Sequence, residues 1–276
     1  MTPLPYDWSG NLADAASLLQ HERVDSVVGS PVQVLAMARF SAERGGPPDC
    51  PRTVLLSTDY APHSLIREVE RIWNCRVFDH YGMTEMGLGG GVECEAHAGY
   101  HLRETDLFFE IVDPQTGERL PDGCEGEVVF STLTRWGMPL IRYRTGDLSR
   151  FLPEPCGCGS VLKRLDRLGG RMDSILRLPA EELRIGEIAE AVFAVPGVLD
   201  YAVNALPGKE RLTLEVAVWS LGSPAATQTA VFEELGRIGA VREARNAGRL
   251  AVAVRCNACE GTLPSGPAKR SFGKVM

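Results

Sequence analysis

No stretch of about 18 consecutive apolar residues occurs in the 276-residue chain, so it offers no membrane-spanning helix and no membrane partner is expected. The opening MTPLPYDWSG lacks the basic start and apolar centre of a secretory signal, and the expected location is cytoplasmic. Positive charge is also short: 29 Lys and Arg against 36 Asp and Glu leave a formal net charge of −7. A broad nucleic-acid surface needs a basic stripe to displace counterions from phosphates, so no nucleic-acid partner is expected and any phosphate site is small. Repeats of fixed period and low-complexity tracts are absent as well. What is present is an ordinary globular composition, 44% hydrophobic, long enough for one large domain or a large and a small one. Eight cysteines without a secretory signal point to metal ligands or buried thiols before a disulfide framework.

Hydrophobic periodicity places an apolar strand, a Gly-Ser-Pro turn and a helix in RVDSVVGSPVQVLAMARFSAER. TVLLSTD reads as a second strand, APHSLIREVERIW as a helix with Leu65, Val69 and Ile72 on one face, and CRVFDHYG as a third strand. This is the alternation of a mostly parallel α/β sheet over residues 1–98. Residues 99–168 turn to mainly β pattern, with two strands around a Pro/Gly/Asp-rich connection in DLFFEIVDPQTGERLPDGCEGEVVFSTL, and suggest a hairpin or small antiparallel β-barrel. RLGGRMDS marks a boundary near 169–174. Beyond it, GEIAEAVFAVPGV and TAVFEELGRIGA read as helices and LDYAVNAL, RLTLEVAVW and RLAVAVRC as strands of a small α+β domain over 171–276.

VFDHYGMTEMGLGGG runs from a strand into a glycine-rich loop at the kind of strand end where open α/β sheets gather ligands. There Tyr81 can stack on a base beside Gly82, Thr84 can bond a phosphate oxygen, and Glu85 can hold a nucleotide-bound Mg²⁺. The same residues also suit a solvated turn with a capping threonine. IRYRTGDLSRF places Asp147 after a tight Thr-Gly turn, where a carboxylate can accept two ribose hydroxyls, and GGRMDS adds Arg171 and Asp173 on a segment able to rotate.

In this order, HYGMTE, RYRTGD and GRMD resemble the motifs of the adenylate-forming acyl-CoA synthetases, and STLTRWGMPLIRYRTGDLSRFLPEPCGCG is most similar to the phenylacetate-CoA ligase branch. The resemblance implies a two-step reaction: ATP and a carboxylic acid, an aryl acid in this branch, give an acyl-adenylate and pyrophosphate, then coenzyme A displaces AMP. It implies that Tyr81 stacks on adenine, Thr84 binds the α-phosphate, Glu85 ligates Mg²⁺, Asp147 holds the ribose with Arg171 beside it, and Asp173 is a hinge. Ser57, Thr58 and Asp59 fall where the family lines the adenine. Lys269, five residues after Pro264, matches the spacing of the family's adenylating lysine, with Lys274 a substitute. The family's Ser/Thr/Gly-rich phosphate loop is not found in the 80 residues ahead of Tyr81, and LPAEELRIGEI departs from the glycine-containing segment after the hinge. The chain is therefore expected to be a fragment, to pair with a chain supplying the missing portion or with a second copy, or to be a non-catalytic AMP-binding scaffold subunit.

VECEAHAGYHL offers Cys94, His97 and His101, and PEPCGCGS offers Cys156 and Cys158. Four N/S donors suit a tetrahedral Zn²⁺, and phenylacetate-CoA ligases carry a comparable Cys/His and Cys-x-Cys pair. The expected ligands of a structural zinc are Cys94, His101, Cys156 and Cys158, with His97 the alternative to His101. Otherwise Cys94 is a small buried hydrophobe. Cys256 and Cys259 form a lone C-x-x-C with no second pair nearby. His80 borders Tyr81 and suits either contact with the acyl substrate or a structural role.

Overall fold

The computed structural model describes residues 11–46, 50–87, 89–178, 181–259, 261 and 270–273. Three parallel strands, β1 (Ser26–Gly29), β2 (Thr53–Leu56) and β3 (Arg76–Tyr81), alternate with helices α1 (Leu12–His21), α2 (Pro31–Ala42) and α3 (His63–Trp73). Local chemistry starts the first two helices. The Asn11 side chain accepts the Ala13 and Asp14 amides, and Ser30 accepts the Gln33 amide ahead of Pro31. Helix α3 buries Leu65 and Val69, as its spacing predicts, together with Ile66 and Trp73, while Ile72 is half-buried, and it ends at Asn74 in a left-handed conformation (φ +47°).

Antiparallel strands extend the parallel part: β4 (Gly91–Glu93), β5 (Tyr100–Leu102), β9 (Phe151–Leu152) and β10 (Arg164–Leu165) give a seven-stranded mixed sheet in the order β1-β2-β3-β4-β5-β10-β9. The strands of the second sheet are β6 (Leu107–Val112), β7 (Gly126–Thr132), β8 (Tyr143–Ser149) and β11 (Gly170–Arg171), ordered β11-β8-β7-β6. The barrel expected there does not close: among the described residues the outer edges of β6 and of the two-residue β11 do not pair, so the sheet stays open. Its inner face, with Phe109, Ile111, Val128 and Phe130, packs with Tyr81, Met86, Tyr100 and Phe151 into one apolar cluster.

A hairpin of β12 (Ile175–Arg177) and β13 (Glu182–Arg184) leads into α4 (Ile185–Phe193), the three-stranded sheet β14 (Val198–Pro207), β15 (Leu212–Ser220) and β16 (Leu250–Ala258), and helices α5 (Pro224–Arg237) and α6 (Gly239–Asn246). The single helix expected over TAVFEELGRIGA is two, because Ile238 takes an extended conformation (ψ 125°) between them. Leu183, Ile188, Val203, Val216 and Val241 share one hydrophobic core with Leu35, Leu56, Leu65 and Val77. No helix among the described residues is long and apolar enough to cross a membrane.

Candidate functional site

A cavity of about 280 Å³ lies at the carboxyl ends of β2 and β3, lined among others by Thr58, Tyr81, Asp147 and Arg171, and by Gly186 and Glu190 of α4. Alternation along β3 buries Val77, Asp79 and Tyr81 together. The Tyr81 hydroxyl donates to Asp147 Oδ2 at 3.1 Å, and Arg171 Nη1 donates to Asp147 Oδ1 at 2.9 Å. Burial, reinforced by the neighbouring Asp147 carboxylate, pushes the Tyr81 hydroxyl far above the ordinary tyrosine range, so it stays a donor. Asp147 sits in a nearly closed setting, 3% exposed, with the Arg171 guanidinium against it.

Asp147 does not follow a tight turn as expected. RYRTGD is the bulged stretch of β8, where pairing with β7 shifts register between Glu127 and Val129 and Gly146 adopts φ +75°. Thr145 fixes the bulge: its Oγ1 donates to the Val128 carbonyl at 2.7 Å and accepts the Asp147 amide at 3.1 Å. Two extra residues on β8, three between the paired positions against one on β7, aim Asp147 into the cavity, and Arg171 Nη2 reaches the Thr145 carbonyl at 3.2 Å.

Gly82, Thr58 and Asp59 also line the cavity, whereas Ser57 is not among the lining residues and has its hydroxyl 3.1 Å from His80 Nδ1. His80 is itself a lining residue, and it requires Gly89: a Cβ there would sit 1.8 Å from His80 Nε2. Thr84 and Glu85 are not brought to the cavity lining. Thr84 is exposed, Glu85 Oε1 accepts from the Tyr143 hydroxyl at 3.3 Å, and the Glu85 carbonyl accepts from Arg135. Asp173 is exposed, 3.5 Å from Arg171 Nε, and accepts from the Ser174 hydroxyl. Lys269 and Lys274 lie outside the described residues.

Sequence reasoning missed several lining groups: Asp79, Tyr100, Tyr60, Glu190, Arg184 and Arg270. Burial pushes the Tyr60 hydroxyl up to about 12, with Glu190 adding to the shift, and raises Asp79 against the opposing pull of Arg167. The alternation that buries Tyr81 already placed Asp79 on the same face. Tyr60 directly follows Asp59 of the expected lining, whereas Tyr100, Glu190, Arg184 and Arg270 come from elements remote in sequence and carried no local signal.

A second constellation lies at the far ends of β4 and β5. Donor atoms of Cys94, His101, Cys156 and Cys158 all fall within 4.8 Å of one another. Cys94 and Cys156 sulfurs are 3.6 Å apart, and Cys158 Sγ is 3.4 Å from His101 Nε2. A tetrahedron with Zn–S near 2.3 Å has edges of about 3.8 Å, so the donor set and spacing fit zinc. The Cys158 amide, pointing at Cys156 Sγ, holds that thiol down to about 6, while burial raises Cys94. His97 is not in the group: its ring stacks on Phe78 at 5.3 Å and its Nδ1 lies 3.4 Å from Glu93. Cys256 contacts the Ser220 hydroxyl, and Cys259 is buried in a minor core cluster.

The family described as AMP-binding enzyme matches residues 7–134. A phenylacetate-coenzyme A ligase of Thermus thermophilus is 32% identical over 212 residues, covering 73% of this chain and 46% of that protein. The phenylacetate-coenzyme A ligase of Escherichia coli is 43% identical over 115 residues, 41% of this chain and 26% of its own. The chain thus spans about half the length, or less, of these curated relatives. Among solved structures, a 2-hydroxyisobutyryl-CoA ligase in the postadenylation state superposes with a TM-score of 0.75 at 21% identity, covering 94% of this chain and 57% of that one. Its open conformation, with 2-HIB-AMP and CoA, gives 0.57 over 99% and 60%. The fold, an α/β unit followed by antiparallel sheets and a C-terminal α+β part, is thus shared with acyl-CoA ligases. With its motifs and phenylacetate-CoA ligase relatives, the chain belongs to the adenylate-forming superfamily, in the phenylacetate-CoA ligase family.

Proposed function

We propose that this chain binds the AMP portion of ATP and of an acyl-adenylate, and serves the ATP-dependent activation of a carboxylic acid, an aryl acid by family, for transfer to coenzyme A. The observation that carries this reading is the convergence of three separate motifs on one cavity: Tyr81, Asp147 and Arg171 in a continuous hydrogen-bonded array. Each Asp147 oxygen accepts one of these protein hydrogen bonds, and the carboxylate borders the cavity where ribose hydroxyls would add to them. Tyr81, Gly82, Thr58 and Asp59 border the adenine in this reading. Residues 1–170 form the carboxyl part of the large adenylate-binding domain and 171–276 the small domain turning at Asp173. Lys269 supplies positive charge to the reacting carboxylate and phosphate.

Thr84 and Glu85, proposed for the α-phosphate and Mg²⁺, follow Gly82 of the lining by two and three residues, and that nearness in the chain is what supports their assignment. Zinc, held by Cys94, His101, Cys156 and Cys158, has no free position and acts as a structural clamp. Leu133, Trp136, Met138 and Ile141, exposed on the loop between β7 and β8, favour burial against a second copy or a chain carrying the phosphate loop. The placement of Thr84 and Glu85 outside the lining favours a second reading, a non-catalytic AMP-binding scaffold subunit. Calorimetric titration with AMP tests the shared core of both. Saturable binding is expected, weakened in Asp147→Ala by roughly 1.5–3 kcal/mol, the worth of hydrogen bonds to a charged group. Equal affinity in the two proteins would sink the ribose assignment, and pyrophosphate exchange with an aryl acid separates enzyme from scaffold.

A further inference from the structure

A set of buried charges joins the thiol cluster to the cavity. Strands β4 and β5 pair with Glu93 opposite Tyr100, and each of these residues is the chain neighbour of a metal donor, Cys94 after Glu93 and His101 after Tyr100. Glu93, 1% exposed in its side chain, accepts the Asp79 amide at 3.0 Å and lies 3.3 Å from Arg167 Nη1. Arg167 Nη2 reaches Asp79 Oδ2 at 3.2 Å and donates to the Ala61 carbonyl. The Tyr100 hydroxyl completes the set, donating to Asp79 Oδ2 at 2.6 Å. Asp79 and Tyr100 line the cavity, and Ala61 ends the segment whose Thr58, Asp59 and Tyr60 line it too, whereas Arg167 is not among the lining residues.

We propose that Arg167 is a positioning residue through which the Cys94–His101–Cys156–Cys158 cluster holds the wall of the nucleotide cavity in shape, so that metal occupancy sets nucleotide affinity without contact between the two. The inference rests on the nucleotide and zinc readings above. Its physical basis is the brevity of the strands: β4 and β5 have three residues each, too few to hold their register unaided, so a metal that fixes Cys94 and His101 also fixes Glu93 and Tyr100. The planar guanidinium then carries that order to two further segments, β3 through Asp79 and the β2–α3 connection through Ala61. An unpaired charge left there by loss of either partner is costly, which makes the arrangement all-or-none.

The test is hydrogen exchange on the full chain in three forms: loaded with Zn²⁺, stripped by chelator, and Arg167→Met with Zn²⁺ retained. Residues 57–62 and 77–82 are expected to exchange about tenfold faster on stripping, and as fast in the loaded variant, while β15 and β16 stay protected. Stripping the variant adds little, and the AMP dissociation constant rises in step. Arg167→Lys, which keeps the charge and loses the fork, falls between. Acceleration confined to residues 92–102 and 155–165 on stripping would overturn the proposal, as would effects of metal and variant that multiply. If the loaded parent binds no AMP, the nucleotide reading fails, while exchange at 57–62 still decides the coupling. If Arg167→Met does not fold, the stripped parent and Arg167→Lys decide it.

Discussion

Glu125 and Arg184 form a two-pronged pair, with Nη2–Oε1 at 2.7 Å and Nη1–Oε2 at 3.1 Å, and Arg184 Nη1 also donates to the Gly169 carbonyl at 3.0 Å. The pair fastens the entry to α4, where Arg184 borders the cavity, onto the turn before β7. The hydrogen bond from Arg184 holds the Glu125 carboxyl below the ordinary glutamate range. A carboxyl with a lowered folded-state pKa binds its proton first in the unfolded chain, so its stabilisation is full above about pH 4.5 and is lost as pH falls through the folded value. Glu125→Gln is therefore expected to lower the unfolding free energy from denaturant titration at pH 7, by no more than about 1 kcal/mol for so exposed a pair. The difference from the parent shrinks as pH falls below the ordinary glutamate range through the folded value. A difference that does not change with pH across the acid limb would show that packing, not charge, carries the effect.

At the scale of elements, α3 begins without a cap of its own. Pro62 has no side-chain acceptor, and the His63 and Ser64 amides instead donate to Glu190 of α4 at 2.6 and 2.9 Å. A carboxylate at a helix start satisfies two orphan donors and meets the positive end of the helix dipole. Glu190→Ala is expected to cost about 1 kcal/mol in urea unfolding, the ordinary worth of a cap, and Glu190→Gln less, since an acceptor remains. Equal losses would place the effect in the charge alone. The elements themselves were largely legible: α3 and β3 declared themselves by period 3.6 and period 2. The bulge in β8 did not, because Thr-Gly between polar residues has the composition of a turn, and only pairing with β7 distinguishes the two. Motif order brought Tyr81, Asp147 and Arg171 to one place, but the backbone turns away after Gly82, and the direction of Thr84 and Glu85 was not written in their identities. Arg167 carried no local signal, because its contact with Asp79 spans 88 residues of chain.

Two kinds of long-range tie hold the whole molecule together. One is apolar and hydrogen-bonded. The largest core runs from α2 and α3 into α4, β14 and α6, and the buried Arg39 of α2 donates to the carbonyls of Phe193, Val195 and Val198, from the end of α4 to the start of β14. The other is the thiol and imidazole cluster, which joins residues 94–101 to 156–158 across the strands that frame the cavity. If zinc occupies it, the metal acts like a cross-link closing a loop of some sixty residues, worth on the order of 2–4 kcal/mol. Chelation is then expected to lower the melting temperature by about 5–10 °C, with readdition of Zn²⁺ restoring it. Cys156→Ser should reproduce the stripped protein, binding less than one equivalent of metal and showing little response to chelator. Cys259, buried but outside the cluster, supplies the control: Cys259→Ser leaves metal content unchanged whatever it does to stability. A parent that melts at the same temperature with and without chelator, at one equivalent of bound zinc, would remove the clamp from the account and leave the apolar core to hold β4 and β5.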